Sequence, residues 1–253
     1  MSKLLNAGFT NLFKSRIFYM GMLVMIAQPI YLIMLYYQEM KQNVSQGSRL
    51  EDSMTVILLM ISIIIAVLSS SLCGTEYHDR TLQNKIAIGH SRINIYLTSL
   101  IINVIACAFF LLLNFAVLFS VGNIVIGAFE MTTSEIIRTL LMEISVTTTY
   151  ASIFTMIAML IQTRSTSSVV SVLSVMSMFF SGISVFQKLQ QADESTNTIF
   201  YNFLSDFLPS CQSMRIMQEN LPSNSAQMVG YDFLIIAVTT IIGVFIFRRK
   251  DLK

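Results

Sequence analysis

Charge is what this sequence has least of. Only 12% of its 253 residues are charged, against 54% hydrophobic, where an ordinary soluble domain carries about 25% charged residues. That shortage excludes a soluble globule of this length and leaves an integral membrane protein. Tryptophan is absent, proline occurs three times and cysteine three times. Cys73, Cys107 and Cys211 show neither metal-ligand nor disulfide-framework spacing. No glycine is followed by lysine anywhere, so the phosphate-binding loop Gly-x-x-x-x-Gly-Lys-Ser/Thr is missing. Any ATP-driven work must draw its energy from another polypeptide. No apolar run contains histidine, which argues against an intramembrane enzyme built on a Ser-His pair. The net charge of +2 gives no reason to expect a nucleic acid partner.

What the chain does have is apolar runs. Six are long enough to span a bilayer: Ile17 to Tyr37, Ser53 to Gly74, Asn94 to Val121, Ser134 to Gln162, Ser167 to Phe186 and Asp232 to Phe247. The last is the shortest. Pro29 predicts a kink in the first span, tolerable where neighbours re-satisfy the freed carbonyl. Residues 1–16 are different. Leu5, Phe9, Leu12 and Phe13 share one helical face and Lys3, Asn6, Thr10, Asn11 and Lys14 the other, the pattern of a helix lying in the membrane interface. The segment 187–231 is long for a loop between packed helices. Within it Thr198 to Phe207 and Ser210 to Glu219 read as helical, broken at Pro209.

The polar stretch Cys73 to Leu97 is basic. It carries Arg80, Lys85, Arg92, His78 and His90 against only Glu76 and Asp79. The two histidines and two acids lack the spacing of a metal-ligand triad, and no metal is expected. With the N-terminus inside, the inner side holds Lys3, Lys14, Arg16, Arg80, Lys85, Arg92, Arg164, Arg248, Arg249, Lys250 and Lys253. The outer side holds Lys41, Arg49, Arg138, Lys188 and Arg215. The positive-inside rule therefore predicts both termini, and the loop at residues 75–93, in the cytoplasm of a multi-pass cell-membrane protein. That loop reads as the place where a soluble partner docks.

Ser167, Ser171, Ser174, Ser177, Ser181 and Ser184 recur every three or four residues in the fifth span. Such a small-polar stripe lets helices approach closely. It reads as tight packing within the subunit, or as a dimer seam or pathway with Ser62 and Ser69 of the second span facing it. Glu143 is placed near the outer end of the fourth span by helix rise, which predicts a solvated or Arg-paired acid. Asn103 and Asn114 share a face of the third span and read as helix-to-helix glue.

Two stretches carry a resemblance. Glu76-Tyr77-x-x-x-Thr81-Leu82-x-Asn84-Lys85 precedes Gly89-His90-Ser91-Arg92-x-x-Ile95-Tyr96-Leu97, and the chain closes on Phe247-Arg248-Arg249-Lys250-Asp251. Together with six spans, an interfacial N-terminal helix and a long outer segment containing Leu208-Pro209, they resemble the ABC-2 type permeases. The family often has Gly before the threonine, where this chain has Arg80, and Lys two residues after the position of Leu97, where it has Ser99. The resemblance implies an all-α integral membrane fold, an ABC-2 (type V exporter-like) transmembrane domain over 1–253. It implies the permease subunit of an ATP-binding cassette exporter, dimeric with itself or a related permease. Separate ATPase subunits would bind the ATP, so this chain itself holds no cofactor and is not an enzyme. Its cargo would be a peptide, an antibiotic or a lipid-like molecule. Residues 75–93 would form a coupling helix in which Tyr77, Leu82 and Ile86 anchor in the ATPase and Glu76, Arg80, Lys85 and Arg92 supply polar contacts. Ser62, Ser69, Ser171, Ser174, Ser177 and Ser181 would line the seam or pathway. The alternative is a self-contained secondary transporter or channel.

Overall fold

The structure, a computed structural model, describes residues 1–41, 52–125, 132–191, 198–219, 222 and 224–250. Ten helices and no strand occur among them. They are α1 (Ser2–Lys14), α2 (Arg16–Lys41), α3 (Asp52–His78), α4 (Thr81–Ala87), α5 (Arg92–Val125), α6 (Thr133–Leu160), α7 (Arg164–Gln190), α8 (Thr198–Phe207), α9 (Pro209–Glu219) and α10 (Ser225–Arg249). Six are long and apolar enough to cross a membrane: α2, α3, α5, α6, α7 and α10. Their outward surfaces suit lipid, since Met20, Leu23, Phe180, Phe233 and Ile241 are all exposed and would be unfavourable in water.

α3 and α6 form the centre of the bundle. α3 packs on α2, α5, α6, α7 and α9, and α6 packs on α3, α5, α7, α9 and α10. Their shared core contains Ile61, Ile65, Tyr150 and Phe154 with Phe110 of α5 and Met25 of α2. In hydrocarbon there is little hydrophobic drive between helices, so close backbone approach and cross-helix hydrogen bonds hold the bundle. The asparagines of α5 are glue of this kind. Asn103 Nδ2 donates to Thr155 Oγ1 at 2.7 Å, and Asn114 Nδ2 donates to Met25 O at 3.0 Å and Gln28 Oε1 at 2.6 Å. α10 is held to α6 in the same way, by Ser145 Oγ to Asp232 Oδ2 at 2.7 Å and by the Ser152–Thr239 hydroxyl pair at 2.6 Å.

Several expectations shift. α1 buries Leu4, Gly8 and Leu12 while Phe13 is exposed, so its inner face is turned by about one residue. Gly8 is the cause: a Cβ there would lie 2.0 Å from Ile102, and that contact with α5 sets the rotation. α10 starts about two turns before Asp232, because the polar run from Ser225 continues the helix and buries Met228. α6 starts with a capping box of Thr132 and Glu135, which supplies two partners for its free amides. Pro209 opens α9, where its missing N–H costs nothing. α9 folds back against the bundle. Cys211, Gln212 and Ile216 are fully buried, and the helix seats against α3, α6 and α7.

That seating corrects the reading of Glu143. It is buried, and its Oε1 has no hydrogen-bond partner among the described residues, so it is neither solvated nor Arg-paired. Position along a helix axis does not measure exposure once a second layer covers the helix end. Arg215 of the outer segment pairs with Asp206.

Gly243 of α10 admits the ring of Tyr96 from α5, where a Cβ would meet the ring at 2.6 Å and its hydroxyl at 2.2 Å. Gly243→Ala should lower stability by about 1–3 kcal/mol through overpacking. Gly230→Ala, in open space on the same helix, should not lower it. Thermal unfolding of both variants in detergent checks the pair, and equal melting would remove the role assigned to the Tyr96 contact.

Candidate functional site

At the basic end of the bundle α3 turns sharply into α4 and α4 into α5. Arg80 makes the first turn in the left-handed region, at φ 54° and ψ 19°, a conformation that costs a non-glycine residue on the order of 1 kcal/mol. Glycine would adopt these angles without that cost. The second turn is a Schellman closure. Gly89 at φ 94° donates its N–H to Ile86 O at 2.9 Å, and His90 N–H reaches Lys85 O at 3.1 Å. Ser91 then opens α5, its Oγ accepting from Asn94 N–H at 3.2 Å. The run Gly89-His90-Ser91-Arg92 is thus a helix stop followed by a helix start.

α4 folds back onto the subunit. Leu82 is 1% exposed, packed with Leu4, Cys73, Ile95, Tyr96, Met159 and Phe247, with Tyr77 and Ile86 against the same cluster. Tyr77 Oη donates to Met159 O at 2.6 Å. Lys85 Nζ pairs with Glu76 Oε1 at 2.5 Å, both side chains mostly buried. Arg92 Nη1 donates to the carbonyls of Phe247, Arg248 and Lys250 at 3.2, 3.0 and 2.5 Å. Lys250 Nζ donates to Leu160 O, and burial pushes its pKa below the ordinary lysine value. These last two cations close the carbonyl ends of α10 and α6, where a helix dipole favours positive charge.

The residues expected to reach an ATPase are therefore divided. Leu82 and Ile86 do share one face of a short helix, but that face turns inward. Glu76, Tyr77, Lys85 and Arg92 are likewise engaged within the subunit. Of the seven, only Arg80 stands exposed. Periodicity shows which residues share a face and not which neighbour covers it. The outward surface consists instead of His78, Asp79, Arg80, Asn84, Ala87 and Ile88, with Ile88 78% exposed. Ile88 lies outside the Leu82–Ile86 stripe, directly before the glycine stop, and an apolar residue at that place was the available signal.

The serine stripe of α7 also divides. Ser167 and Ser171 are buried, with Ser70 within 3.1 Å and 3.2 Å of them, so the facing serine of α3 is Ser70 rather than Ser62 or Ser69. Ser62 bonds its own helix at Leu59 O. Ser69 is fully buried and its Oγ has no partner among the described residues. Further along α7 the buried face passes through Val175, Gly182 and Val185. Ser177, Ser181 and Ser184 are exposed and Ser174 is half-buried. Ser174, Ser181 and Ser184 bond carbonyls one turn back, at Val170, Met178 and Phe180. Val175, which lies off the stripe, is 2% exposed, because the tight seam with α3 covers only the first turns of the stripe. Gly74 of α3 completes the seam, since a Cβ there would lie 2.7 Å from the Arg164 Cα.

The model of the ABC-2 family transporter proteins matches residues 4–184. The chain belongs to that family. The match runs from α1 into α7 and so includes the whole α3–α4–α5 corner. The protein is accordingly a multi-pass membrane component of an ABC-type transporter, a permease rather than a catalytic subunit, and the family implies ATPase partner subunits. No curated protein matches the chain.

Leu82→Asp should destabilise this ABC-2 permease by roughly 3 kcal/mol or more, since it places an unpaired carboxylate in an apolar cluster. Ile88→Asp, on the outward surface, should change stability by no more than about 0.5 kcal/mol. Detergent melting curves compare them, and a tolerated Leu82→Asp would contradict the inward packing of α4.

Proposed function

We propose that this chain is the permease of an exporter, paired with a second permease chain and driven by two ATPase subunits, which bind the ATP themselves and dock at the α3–α4–α5 corner. The observation that carries the reading is the outward surface of α4. It offers one exposed apolar side chain, Ile88, inside a polar rim of His78, Asp79, Arg80 and Asn84, the general composition of a protein docking patch. Both termini lie in the cytoplasm in this reading, on the side of the basic loop. The exposed serines of α7, Ser177 and Ser181, alternate with exposed Val170, Leu173 and Phe180. That apolar, small-residue face suits contact with the second permease or passage of an amphipathic cargo such as a peptide, an antibiotic or a lipid-like molecule.

The closing contact is tested by Ile88→Asp with Asn84→Asp. Because both positions face outward, the variant should fold and insert normally, yet lose pull-down of its ATPase from detergent by tenfold or more. Normal binding would remove α4 from the interface. A second reading, a self-contained transporter, is favoured by one observation, the buried Glu143 with its unpartnered Oε1. Cargo uptake into vesicles holding the permease without its ATPase would support that reading against ours.

Orientation and pairing are tested together by cysteine chemistry. The three native cysteines are buried, and burial pushes the Cys211 thiol up to about 11, so the native chain gives a quiet background. Ala87→Cys should resist a membrane-impermeant maleimide in intact cells and Ile199→Cys should react. Ser181→Cys should form a permease–permease disulfide under mild oxidation. The opposite labelling pattern would invert the topology, and absence of cross-linking would remove α7 from the seam.

A further inference from the structure

A cavity of about 330 Å³ opens where the α1–α2 elbow meets the basic ends of α3 and α7. Lys14 and Arg16 reach it from the elbow and Arg164 from the first residue of α7. All three are exposed, and none has an ion pair or hydrogen bond among the described residues. Two acids also line the cavity, Glu76 and Asp79. Glu76 is already neutralised by Lys85, and Asp79 Oδ1 holds the His78 ring at 3.0 Å. That leaves Asp79 as the one lining acid without a lysine or arginine partner, against three free cations, so the cavity is electropositive.

The position of these cations is not incidental. α1 and α2 are joined by Ser15 alone, extended at φ −73° and ψ 122°, so Lys14 and Arg16 are fixed on either side of one tight corner. Arg164 is fixed from the other wall, because its Cα rests on Gly74. Beside the corner, Phe13, Tyr19, Met20 and Leu23 are 56%, 55%, 68% and 68% exposed. They form an apolar strip that leads from the cavity along the spanning helix α2. An acidic protein segment would satisfy the cations but not the strip. A lipid satisfies both, with its headgroup in the cavity and an acyl chain along the strip.

We propose that this cavity binds the headgroup of one anionic phospholipid, with Lys14, Arg16 and Arg164 on its phosphate and α2 along its acyl chain. The site lies in the leaflet that faces the ATPase, and in that respect alone the proposal rests on the orientation given above. Basic pockets between spanning helices take such headgroups, and each surface cation adds about fivefold to the affinity for anionic lipid.

The test uses the full chain purified in detergent and exposed to equimolar dioleoylphosphatidylglycerol and dioleoylphosphatidylcholine. Native mass spectrometry counts the lipids retained. The wild-type chain should keep one phosphatidylglycerol in preference to phosphatidylcholine. Lys14→Gln/Arg16→Gln/Arg164→Gln should reduce that retention by tenfold or more, while Arg248→Gln/Arg249→Gln, at the far edge of the same end, should not. Should the triple variant fail to fold, Lys14→Gln and Arg16→Gln singly, each exposed, should each reduce retention several-fold. Equal retention of the two lipids, or no effect of the cavity variants, would overturn the site. Displacement of the lipid by millimolar inorganic phosphate would overturn the lipid as its ligand in favour of a free anion. No ATPase enters this measurement, so its failure is separable from failure of the pull-down that tests the docking patch.

Discussion

A helix that crosses hydrocarbon can satisfy every backbone group except those at its ends, and this structure depends on how the basic ends are closed. Lys250 closes α6 and Arg92 closes α10, while Tyr77 donates to the penultimate carbonyl of α6. Each donor comes from a different helix than the one it closes. The result is a partial ring of end-closures that ties α3 and α10 to the end of α6 and α5 to the end of α10. Leu82 fills the middle of that ring, and so α4 is its plug rather than a free arm.

Through Leu82, α4 touches four membrane-spanning helices at once, α3, α5, α6 and α10. Under the docking proposed at Asn84 and Ile88, a push on α4 would reach all four together. α7 is tied to α3 differently, by hydroxyls at Ser70, Ser167 and Ser171 and by the bare surface of Gly74. Small side chains let the two helices approach closely there.

The six spans were legible because an apolar run of about 20 residues has one stable outcome in a bilayer. α8 and α9 were legible from Pro209, which breaks one helix and starts the next. What the sequence did not show was rotation. The Leu82–Ile86 pair and the face of α1 are each turned otherwise than expected, and the serines of α7 meet α3 as expected but at Ser70 rather than at Ser62 or Ser69. Gly8, Gly74 and Gly243 decide those rotations by what fits against them, and glycine carries no periodic signal. Glu143 was misplaced for a related reason, since the covering of α6 by α9 is a tertiary event with no trace in either segment alone. The two turns that bound α4 were readable from Gly89 and Ser91, and the identity of the outward residues between them was not.

Arg80 holds its left-handed turn exposed, with no side-chain hydrogen bond or ion pair of its guanidinium among the described residues. Glycine or asparagine would occupy the same backbone angles at no greater cost. Position 80 is therefore a place where a permease of this architecture can gain or lose a surface positive charge while the buried contacts of α4 stay as they are. Under the docking proposed for this corner, recognition of one ATPase over another would drift there by single substitutions, decoupled from the stability of the bundle.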